Sequence, residues 1–312
     1  MLEIRNLYKN FGPLVAVDDV SFTVSRGEVL GFLGPNGAGK STTMKMITGF
    51  LAPDRGTAVI CGHDIAEEPL AAKRSFGYLP EGAPAYPDMN VADFLRFVAH
   101  IRGFRGAEAV ARIDHIVELV HLNEVYEQRI DTLSKGFRRR VGVAQALIHD
   151  PPVIILDEPT DGLDPNQKHE MRGILAAMQT EKAIIISTHL LEEVEAVCSR
   201  AIIIARGRIL ADGTPAELAA RSRYHNAVRL EIDAANETRI RADLAALPDI
   251  AAIESVGDGH ALVIVPGDHR TIAAEIAELA EGRDWRIGGF SVERGRLDDV
   301  FRAVTVPGSD IA

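Results

Sequence analysis

A glycine-rich run near the start of the sequence has residue types and a spacing that suit phosphate binding. It fits the pattern G-x-x-x-x-G-K-[ST], and its residues are Gly34, Pro35, Asn36, Gly37, Ala38, Gly39, Lys40, Ser41 and Thr42. Glycines let backbone N–H groups approach the phosphates because no Cβ stands in the way. Lys40 supplies a charge for the β- and γ-phosphates, and Ser41 offers a hydroxyl group to Mg²⁺. The run therefore predicts a nucleoside triphosphate site.

Two acidic residues follow an apolar segment later in the chain. Residues 153–156 are all apolar, and Asp157 and Glu158 come directly after them. Such a run predicts a strand buried in a parallel sheet, and ligands bind at the carboxyl ends of such strands. We expect Asp157 to reach Mg²⁺ and Glu158 to face the γ-phosphate as a general base. A second predicted strand, residues 183–187, leads to His189 and predicts a histidine at the same edge.

The elements around these residues are predicted from their apolar pattern. Residues 29–33 are expected to form a short buried strand, and residues 41–50 a helix that is ended by Gly49 and Pro53. The positive end of that helix then points at the phosphates. Between residues 88 and 150, apolar residues recur at helical spacing, which predicts a helical insertion into an α/β fold.

Composition restricts the classes of protein that the chain can be. It has 312 residues, 46% apolar and 25% charged, as expected for a globular protein of about two domains. The net charge of −11 argues against nucleic acid as a partner. We expect a soluble cytoplasmic protein, because no run approaches the ~18–20 apolar residues of a membrane span and the amino terminus lacks a signal-peptide core. Cys61 and Cys198 are expected to be reduced core residues.

Two further segments carry a family resemblance. Residues 133–137, Leu-Ser-Lys-Gly-Phe, resemble the signature usually written LSGGQ and match it at Ser134 and Gly136. Residues 160–164 resemble the D-loop, which here ends in Asp164. Together with the motifs described above, which occur in the same order, they make the chain resemble the ATP-binding subunit of an ABC transporter.

The resemblance implies roles for three more residues. Phe11 matches the aromatic residue that stacks on adenine, and His189 matches the histidine that senses the γ-phosphate. Glu81 stands where the family has the glutamine of its Q-loop. An ionised glutamate accepts hydrogen bonds but cannot donate them. We therefore expect Glu81 to act on the metal and on the attacking water, and not as an obligatory phosphate ligand.

The resemblance covers about residues 2–220 and implies a fold and ligands. The fold is the P-loop NTPase fold of ABC type, with a helical subdomain at about residues 88–150, and the ligands are ATP and Mg²⁺. Two copies are implied to form a head-to-tail dimer with ATP at the interface. Ser134 and Gly136 are then expected to contact the ATP held by the other copy, and Asp164 belongs to the same ATP site.

The predicted function is ATP hydrolysis that powers an exporter. The membrane-spanning part is expected to be a separate permease chain, so that this chain lies peripherally on the cytoplasmic face of the cell membrane. The helical subdomain and the Glu81 loop are implied to meet that permease. The alternative is a soluble ABC protein that acts in assembly, repair or translation, although the chain has one cassette and no long coiled-coil insertion.

Three consecutive arginines follow the signature segment directly: Arg138, Arg139 and Arg140. Charged runs of this kind are usually solvated, since ionised side chains are costly to bury. The sequence therefore favours a solvated basic turn over a specific contact with a partner.

The chain changes character after about residue 222. Thr214 and Glu217 form a capping box that opens the predicted last helix of the ATPase. We therefore divide the chain into an ABC ATPase domain, residues 1–221, and an accessory domain, residues 222–312. In the accessory domain the order strand, helix, strand, strand, helix, strand predicts a small α+β ferredoxin-like unit. It shows no catalytic pattern, which favours a regulatory or dimer-stabilising role.

Overall fold

The structure is a computed structural model that describes residues 1–257 and 260–305. The chain forms two compact units, Met1–Asp212 and Gly213–Ala312. Residues 258–259 and 306–312, which belong to the second unit, lie outside the described residues.

The first unit contains ten strands that form two sheets. They are β1 (Leu2–Phe11), β2 (Leu14–Val24), β3 (Val29–Leu33), β4 (Arg55–Ile60), β5 (His63–Asp64), β6 (Phe76–Leu79), β7 (Val153–Asp157), β8 (Ala183–Thr188), β9 (Arg200–Ala205) and β10 (Arg208–Gly213), which ends at the first residue of the second unit. One sheet has the strand order β2-β1-β4-β5, and the other has the order β10-β9-β3-β8-β7-β6.

The six-stranded sheet sets the edge at which the predicted site lies. β3 pairs in parallel with β8 and β9, and β7 pairs in parallel with β6 and β8. Every residue of β3, β7 and β8 is buried, as the continuous apolar runs predict. Because Leu33 lies opposite Thr188 and Asp157 lies opposite Ser187, these three strands end at one edge.

Helices surround this sheet. They are α1 (Lys40–Ile47), α2 (Pro69–Arg74), α3 (Val91–Ile101), α4 (Gly106–Leu119), α5 (Lys135–Leu147), α6 (Pro165–Met178) and α7 (Leu191–Val197). The prediction of a helix over residues 41–50 was wrong at its end, because α1 stops at Ile47 and Gly49 takes a left-handed φ of 66°. Among the described residues, no helix combines the length and apolar character needed to cross a membrane.

Helix α5 packs directly on strand β6. A Cβ on Gly77 would clash with the backbone carbonyl of Ala146, so only glycine permits this approach. A Cβ on Gly142 would lie 2.5 Å from the Leu79 side chain and 3.0 Å from that of Ala83. The helix that follows the signature segment is thus held against the strand and the loop that carry Glu81.

The second unit contains a four-stranded antiparallel sheet, and two of its helices share an apolar core with that sheet. The elements of this unit are α8 (Pro215–Ala219), β11 (His225–Ile232), α9 (Glu237–Leu244), β12 (Ile250–Val256), β13 (Ala261–Pro266), α10 (Ala273–Gly282), β14 (Ile287–Arg294) and α11 (Leu297–Thr305). The strand order is β12-β13-β11-β14, and the two helices that share the core are α9 and α10. This order and the alternation of strands and helices support the ferredoxin-like description, which stays a prediction.

Helix α8 belongs to the second unit, although the predicted domain boundary lies after it, at residue 221. Its packing explains the difference, because Gly295 lies so close to the carbonyl of Ala219 that a Cβ would clash there. Ser222 Oγ also donates a hydrogen bond of 2.9 Å to Asp299 in α11. The core of this unit is apolar and includes Leu230, Ile264, Ile276 and Trp285.

Candidate active site

The glycine-rich run connects β3 to α1 at the carboxyl edge of the sheet. Gly39 is the N-cap of α1 with a φ of 104°, and a Cβ there would clash with the backbone carbonyl of Ala16. Gly37 has a φ of 79° and open space where a Cβ would stand. The first N–H groups of an α-helix lack intrahelical acceptors, so they and the helix dipole favour an anion at this place.

Lys40 is buried beside this loop. Its side chain is 5% exposed, and its Nζ atom donates a hydrogen bond of 2.8 Å to the Gly34 carbonyl. The same atom lies 3.4 Å from a carboxylate oxygen of Glu158. A buried ammonium group needs such partners because its desolvation is costly. Lys40 therefore stands between the glycine loop and the acidic end of β7.

The hydroxyl and carboxylate predicted to hold a metal are in contact. Ser41 Oγ donates to Asp157 Oδ1 at 3.3 Å, and Ser187 Oγ donates to the same oxygen. Asp157 Oδ2 is buried without a hydrogen-bond partner among the described residues. An unpaired carboxylate oxygen next to a serine hydroxyl suits Mg²⁺, which prefers oxygen ligands and keeps several waters or phosphate oxygens. The residues present therefore fit this ion.

Glu158 and His189 face each other at the same edge. His189 Nδ1 lies 2.9 Å from Glu158 Oε2. The Glu158 backbone has a φ of 50°, and its N–H donates to the Ser187 carbonyl at 3.0 Å and to Ser187 Oγ at 3.2 Å. A left-handed φ in a non-glycine residue is uncommon and is found at functional sites. The carboxylate is thus held by its backbone, by His189 and by Lys40.

Glu193 joins the site, and sequence reasoning missed it. Its carboxylate is buried and accepts hydrogen bonds from Thr160 Oγ1 and, at 3.0 Å, from Thr188 Oγ1. Burial raises the pKa of Glu193. The network connects the loop after β7 to the loop after β8, immediately beside His189. The available signal was the position of Glu193, four residues after His189 in the chain.

Phe11 lies on the hairpin between β1 and β2. Its side chain is 49% exposed, and Lys9 Nζ lies 5.8 Å from its ring centroid. The second strand of this hairpin contacts the glycine loop, because the Ala16 carbonyl stands where a Cβ on Gly39 would be. An exposed aromatic ring on an element that touches the loop is compatible with stacking on an adenine base.

The signature segment begins α5. Ser134 is the N-cap of this helix and accepts a hydrogen bond of 3.3 Å from the Phe137 N–H. Lys135, which departs from the family pattern, forms an ion pair with Asp161 at 3.1 Å. Gly136 is buried against the Gln167 side chain, where a Cβ would lie 2.6 Å away.

The D-loop residue Asp164 begins the helix that meets the signature segment. It is the N-cap of α6 and accepts a hydrogen bond of 3.0 Å from the Gln167 N–H. Because Gln167 also contacts Gly136, the D-loop and the signature segment touch each other within one chain. Neither segment is joined to Lys40 by a hydrogen bond or an ion pair among the described residues.

Glu81 is exposed in the loop that follows β6. The neighbouring Tyr78 shows that this loop lies near Asp157. Burial raises the pKa of Tyr78, and the charges of Asp157 and Glu81 act in the same direction. The Tyr78 hydroxyl is itself buried without a hydrogen-bond partner among the described residues. The structure therefore brings the Glu81 loop to the same edge as Asp157.

The expectation of a solvated basic turn at the three arginines was wrong for two of them. Arg138 is exposed, whereas Arg139 and Arg140 are only 3% and 8% exposed. Arg140 forms an ion pair with Glu170, and its guanidinium lies 5.1 Å from the centre of the Phe137 ring. Both side chains are buried because α5 packs on neighbouring elements along most of its circumference.

A glycine loop at a helix start, a buried lysine and two acids at the end of a parallel strand define a P-loop ATPase. The sequence profile of the family described as "ABC transporter" matches residues 17–161. The linearmycin resistance ATP-binding protein of Bacillus subtilis (strain 168) is 35% identical over 310 residues, which are 98% of each chain. The chain belongs to the ABC transporter family.

Two further comparisons agree with this assignment. The Nod factor export ATP-binding protein I of Paraburkholderia xenovorans (strain LB400) is 33% identical over 308 residues, 97% of this chain and 96% of that one. A solved structure titled as the ATP-binding subunit of an ABC transporter is 32% identical with a TM-score of 0.65, and the match covers 71% of this chain and 92% of that one. The predicted family and the P-loop fold of ABC type are confirmed: the chain is an ATP-binding, ATP-hydrolysing subunit of an ABC transporter.

Proposed function

We propose that two copies of this chain bind ATP between them and use its hydrolysis to drive export through a separate membrane-spanning permease. The observation that carries the catalytic part is the arrangement at the end of β7. There Glu158 lies 2.9 Å from His189 and 3.4 Å from Lys40, directly after an aspartate with an unpaired buried oxygen.

In this proposal the glycine loop and Lys40 bind the phosphates of ATP. The N–H groups of residues 36–42 surround the phosphate oxygens, and Lys40 turns from the Gly34 carbonyl towards the β- and γ-phosphates. Ser41, Asp157 and Glu81 hold Mg²⁺, with Asp157 Oδ2 as the free oxygen. Mg²⁺ supplies positive charge that neutralises the phosphate oxygens. Phe11 stacks on the adenine ring.

Glu158 acts as the general base. It takes a proton from the attacking water on a carboxylate oxygen, while its backbone and His189 keep that carboxylate in place. His189, which lies beside the same carboxylate, contacts the γ-phosphate. Glu81 accepts a hydrogen bond from the water on the metal side, because an ionised carboxylate cannot donate one to a phosphate oxygen.

The second copy completes the ATP site. Ser134 and Gly136 begin α5, and the N–H groups of a helix start attract an anion such as the γ-phosphate. Ser134 is exposed, so its helix start is open to a partner molecule. Asp164 begins the neighbouring helix and lies beside this surface. These features support a head-to-tail dimer in which the signature segment of one copy meets the glycine loop of the other.

An apolar groove between α3 and the loop after α1 supports the permease contact. It is lined by Phe50, Tyr86, Phe97 and Ile101, among others. Phe50 is 81% exposed. Exposed apolar patches of this kind mark protein–protein contacts. We propose that a permease helix with an apolar face lies here, which places the chain peripherally on the cytoplasmic face of the membrane.

Export is the direction that the relatives support. One of them is named for Nod factor export and another for linearmycin resistance. Neither is a soluble factor for assembly, repair or translation, so the soluble alternative has no support from these two relatives.

The permease contact is tested by binding to membranes. Membrane vesicles from cells that make this protein should bind the wild-type protein and bind the Ile101→Glu variant much less, because the charge enters the apolar groove. Leu70→Glu is the matched control, since Leu70 is exposed on α2 and does not line the groove. Equal binding of all three proteins would rule out this groove as the docking site.

A further inference from the structure

The middle arginine after the signature segment is buried and has no assigned role. Arg139 Nη1 is inaccessible and lacks a hydrogen-bond partner within residues 1–257 and 260–305. Arg138 is exposed, and Arg140 has its ion pair with Glu170. A buried charge without full pairing costs free energy, and a protein that retains one commonly uses it at a functional site.

The negative charges around Arg139 all belong to the candidate active site. Burial lowers the pKa of its guanidinium, and the carboxylates of Asp161, Glu158, Glu81 and Asp157 act in the opposite direction, in that order of strength. These residues come from the loops after β6 and β7. Arg139 therefore faces the acids that are proposed to hold the metal and to activate water.

Two of these acids have cations of their own. Lys135 pairs with Asp161 at 3.1 Å, and Lys40 lies 3.4 Å from Glu158. No ion pair involves Glu81 in the part of the chain that the structure describes. Arg139 is thus a buried cation close enough to interact with the charge of Glu81.

The packing of α5 directs Arg139 towards the Glu81 loop. Arg139, Gly142 and Ala146 are spaced by three and four residues, so they lie on one face of the helix. Gly142 contacts Leu79 and Ala83, which stand two residues before and two residues after Glu81. Arg139 lies one turn earlier on the face that packs against this loop.

We propose that Arg139 is a positioning residue for ATP hydrolysis: its buried guanidinium balances the carboxylates at this edge and holds the Glu81 loop on the metal side of the site. The inference rests on the proposed function of Glu81 and Glu158. Four carboxylates in one region repel each other, most strongly where water is excluded. A cation between them offsets this repulsion and lets the two loops approach each other.

The experiment compares full-length variants with and without the charge. Arg139→Met keeps an unbranched side chain of similar length but removes the charge, Arg139→Lys keeps a charge, and Arg138→Met is the exposed control on the same helix. We expect Arg139→Met to lower kcat roughly tenfold or more, with ATP affinity changed less than about threefold. Arg139→Lys should retain more activity than Arg139→Met.

A double variant tests the connection to Glu81. Without Arg139 the charge of Glu81 is unbalanced, so Arg139→Met with Glu81→Gln should be more active than Arg139→Met alone. Activity at or below the product of the two single effects would overturn the proposal. So would a loss of ATP affinity as large as the loss in kcat, which would make Arg139 a nucleotide ligand.

If Arg139→Met proves unstable, the Arg139→Lys variant provides a second comparison. Glu81→Gln should then alter kcat by different factors in the wild-type and Arg139→Lys backgrounds, and equal factors would contradict the coupling. The proposed function is tested separately by Glu158→Gln. An active Glu158→Gln variant would refute the proposed general base, whatever Arg139 does.

Discussion

Both units have an apolar core, but they differ in the charged side chains that they bury. The first unit buries several of them at one edge of a parallel sheet, whereas the buried side chains in the described part of the second unit are almost all apolar. The charged residues of the first unit include Lys40, Arg139, Asp157, Glu158 and Glu193. In the described residues of the second unit, the buried polar residue is Ser222. Since burying a charge costs several kcal/mol, the first unit gives up stability where it carries out chemistry.

The second unit uses its polar groups differently, at the rim of an apolar core. Tyr224 contacts Arg223 and Arg296, whose guanidinium carbons lie 4.5 Å and 3.8 Å from its ring centroid. Its hydroxyl donates a hydrogen bond of 2.8 Å to Glu254. These contacts join the segment before β11, strand β12 and the segment between β14 and α11 without burying an unpaired charge.

The largest effect expected from this contrast is that of Glu158→Gln. The amide keeps the shape but cannot accept the proton from water, so turnover should fall by ~10²–10⁴-fold. ATP binding should persist, and ATP should then trap a dimer. Steady-state hydrolysis and gel filtration with ATP measure both effects, with the exposed Glu195→Gln as control. If Glu158→Gln hydrolysed ATP at nearly the rate of the control, Glu158 would not be the general base.

The sequence was informative wherever function depends on local spacing. The glycine loop, Lys40 and Ser41 all belong to the continuous segment 34–42, so the pattern of that segment predicts their geometry. Asp157 and Glu158 could be placed because an apolar run before two acids predicts a parallel strand with its end at the ligand edge. The strand at residues 29–33 was predicted for the same reason.

Contacts between distant segments could not be predicted. The burial of Arg139 depends on the packing of α5 against β6, which is more than fifty residues away along the chain. Glu193 is identified as part of the site only when Thr160 and Thr188 are seen to donate to its carboxylate. Tertiary packing decides whether an arginine in a charged run is solvated or buried.

The second unit should respond to core mutations with a loss of stability and no loss of nucleotide binding. Ile276 is fully buried in its core. Ile276→Ala should lower the free energy of unfolding of this unit by about 2–5 kcal/mol, because it creates a cavity. Denaturant unfolding and ATP titration measure the two effects, and the exposed Val292→Ala is the control. If Ile276→Ala weakened ATP binding by as much free energy as it lowered the stability, the contrast between the two units would be false.

A partly buried histidine should make the first unit sensitive to acid. Burial lowers the pKa of His149 to about 4, below the ordinary value of 6.5, and its Nε2 lies 3.0 Å from the Phe76 carbonyl. Below pH ~6.5 the unfolded chain binds a proton that the folded chain does not, so stability falls by about 3 kcal/mol as the pH drops to ~4. His149→Gln should remove this part of the pH dependence, and the exposed His169→Gln should leave it unchanged.

The smallest effect is expected from removal of the second unit. Every residue proposed to contact ATP lies before residue 190, so chains that end at Asp212 or at Ser222 should bind ATP with an affinity within about threefold of the full chain. The shorter form respects the boundary between the compact units, whereas the longer form keeps α8 without α11. By contrast, Phe11→Ala in the full chain should weaken binding by roughly 1–3 kcal/mol, the scale of stacking between a base and an aromatic ring. Isothermal titration of the three proteins decides the matter. If both truncated forms were folded but failed to bind ATP while Phe11→Ala bound normally, the nucleotide site would depend on the second unit and the division of roles between the units would have to be abandoned.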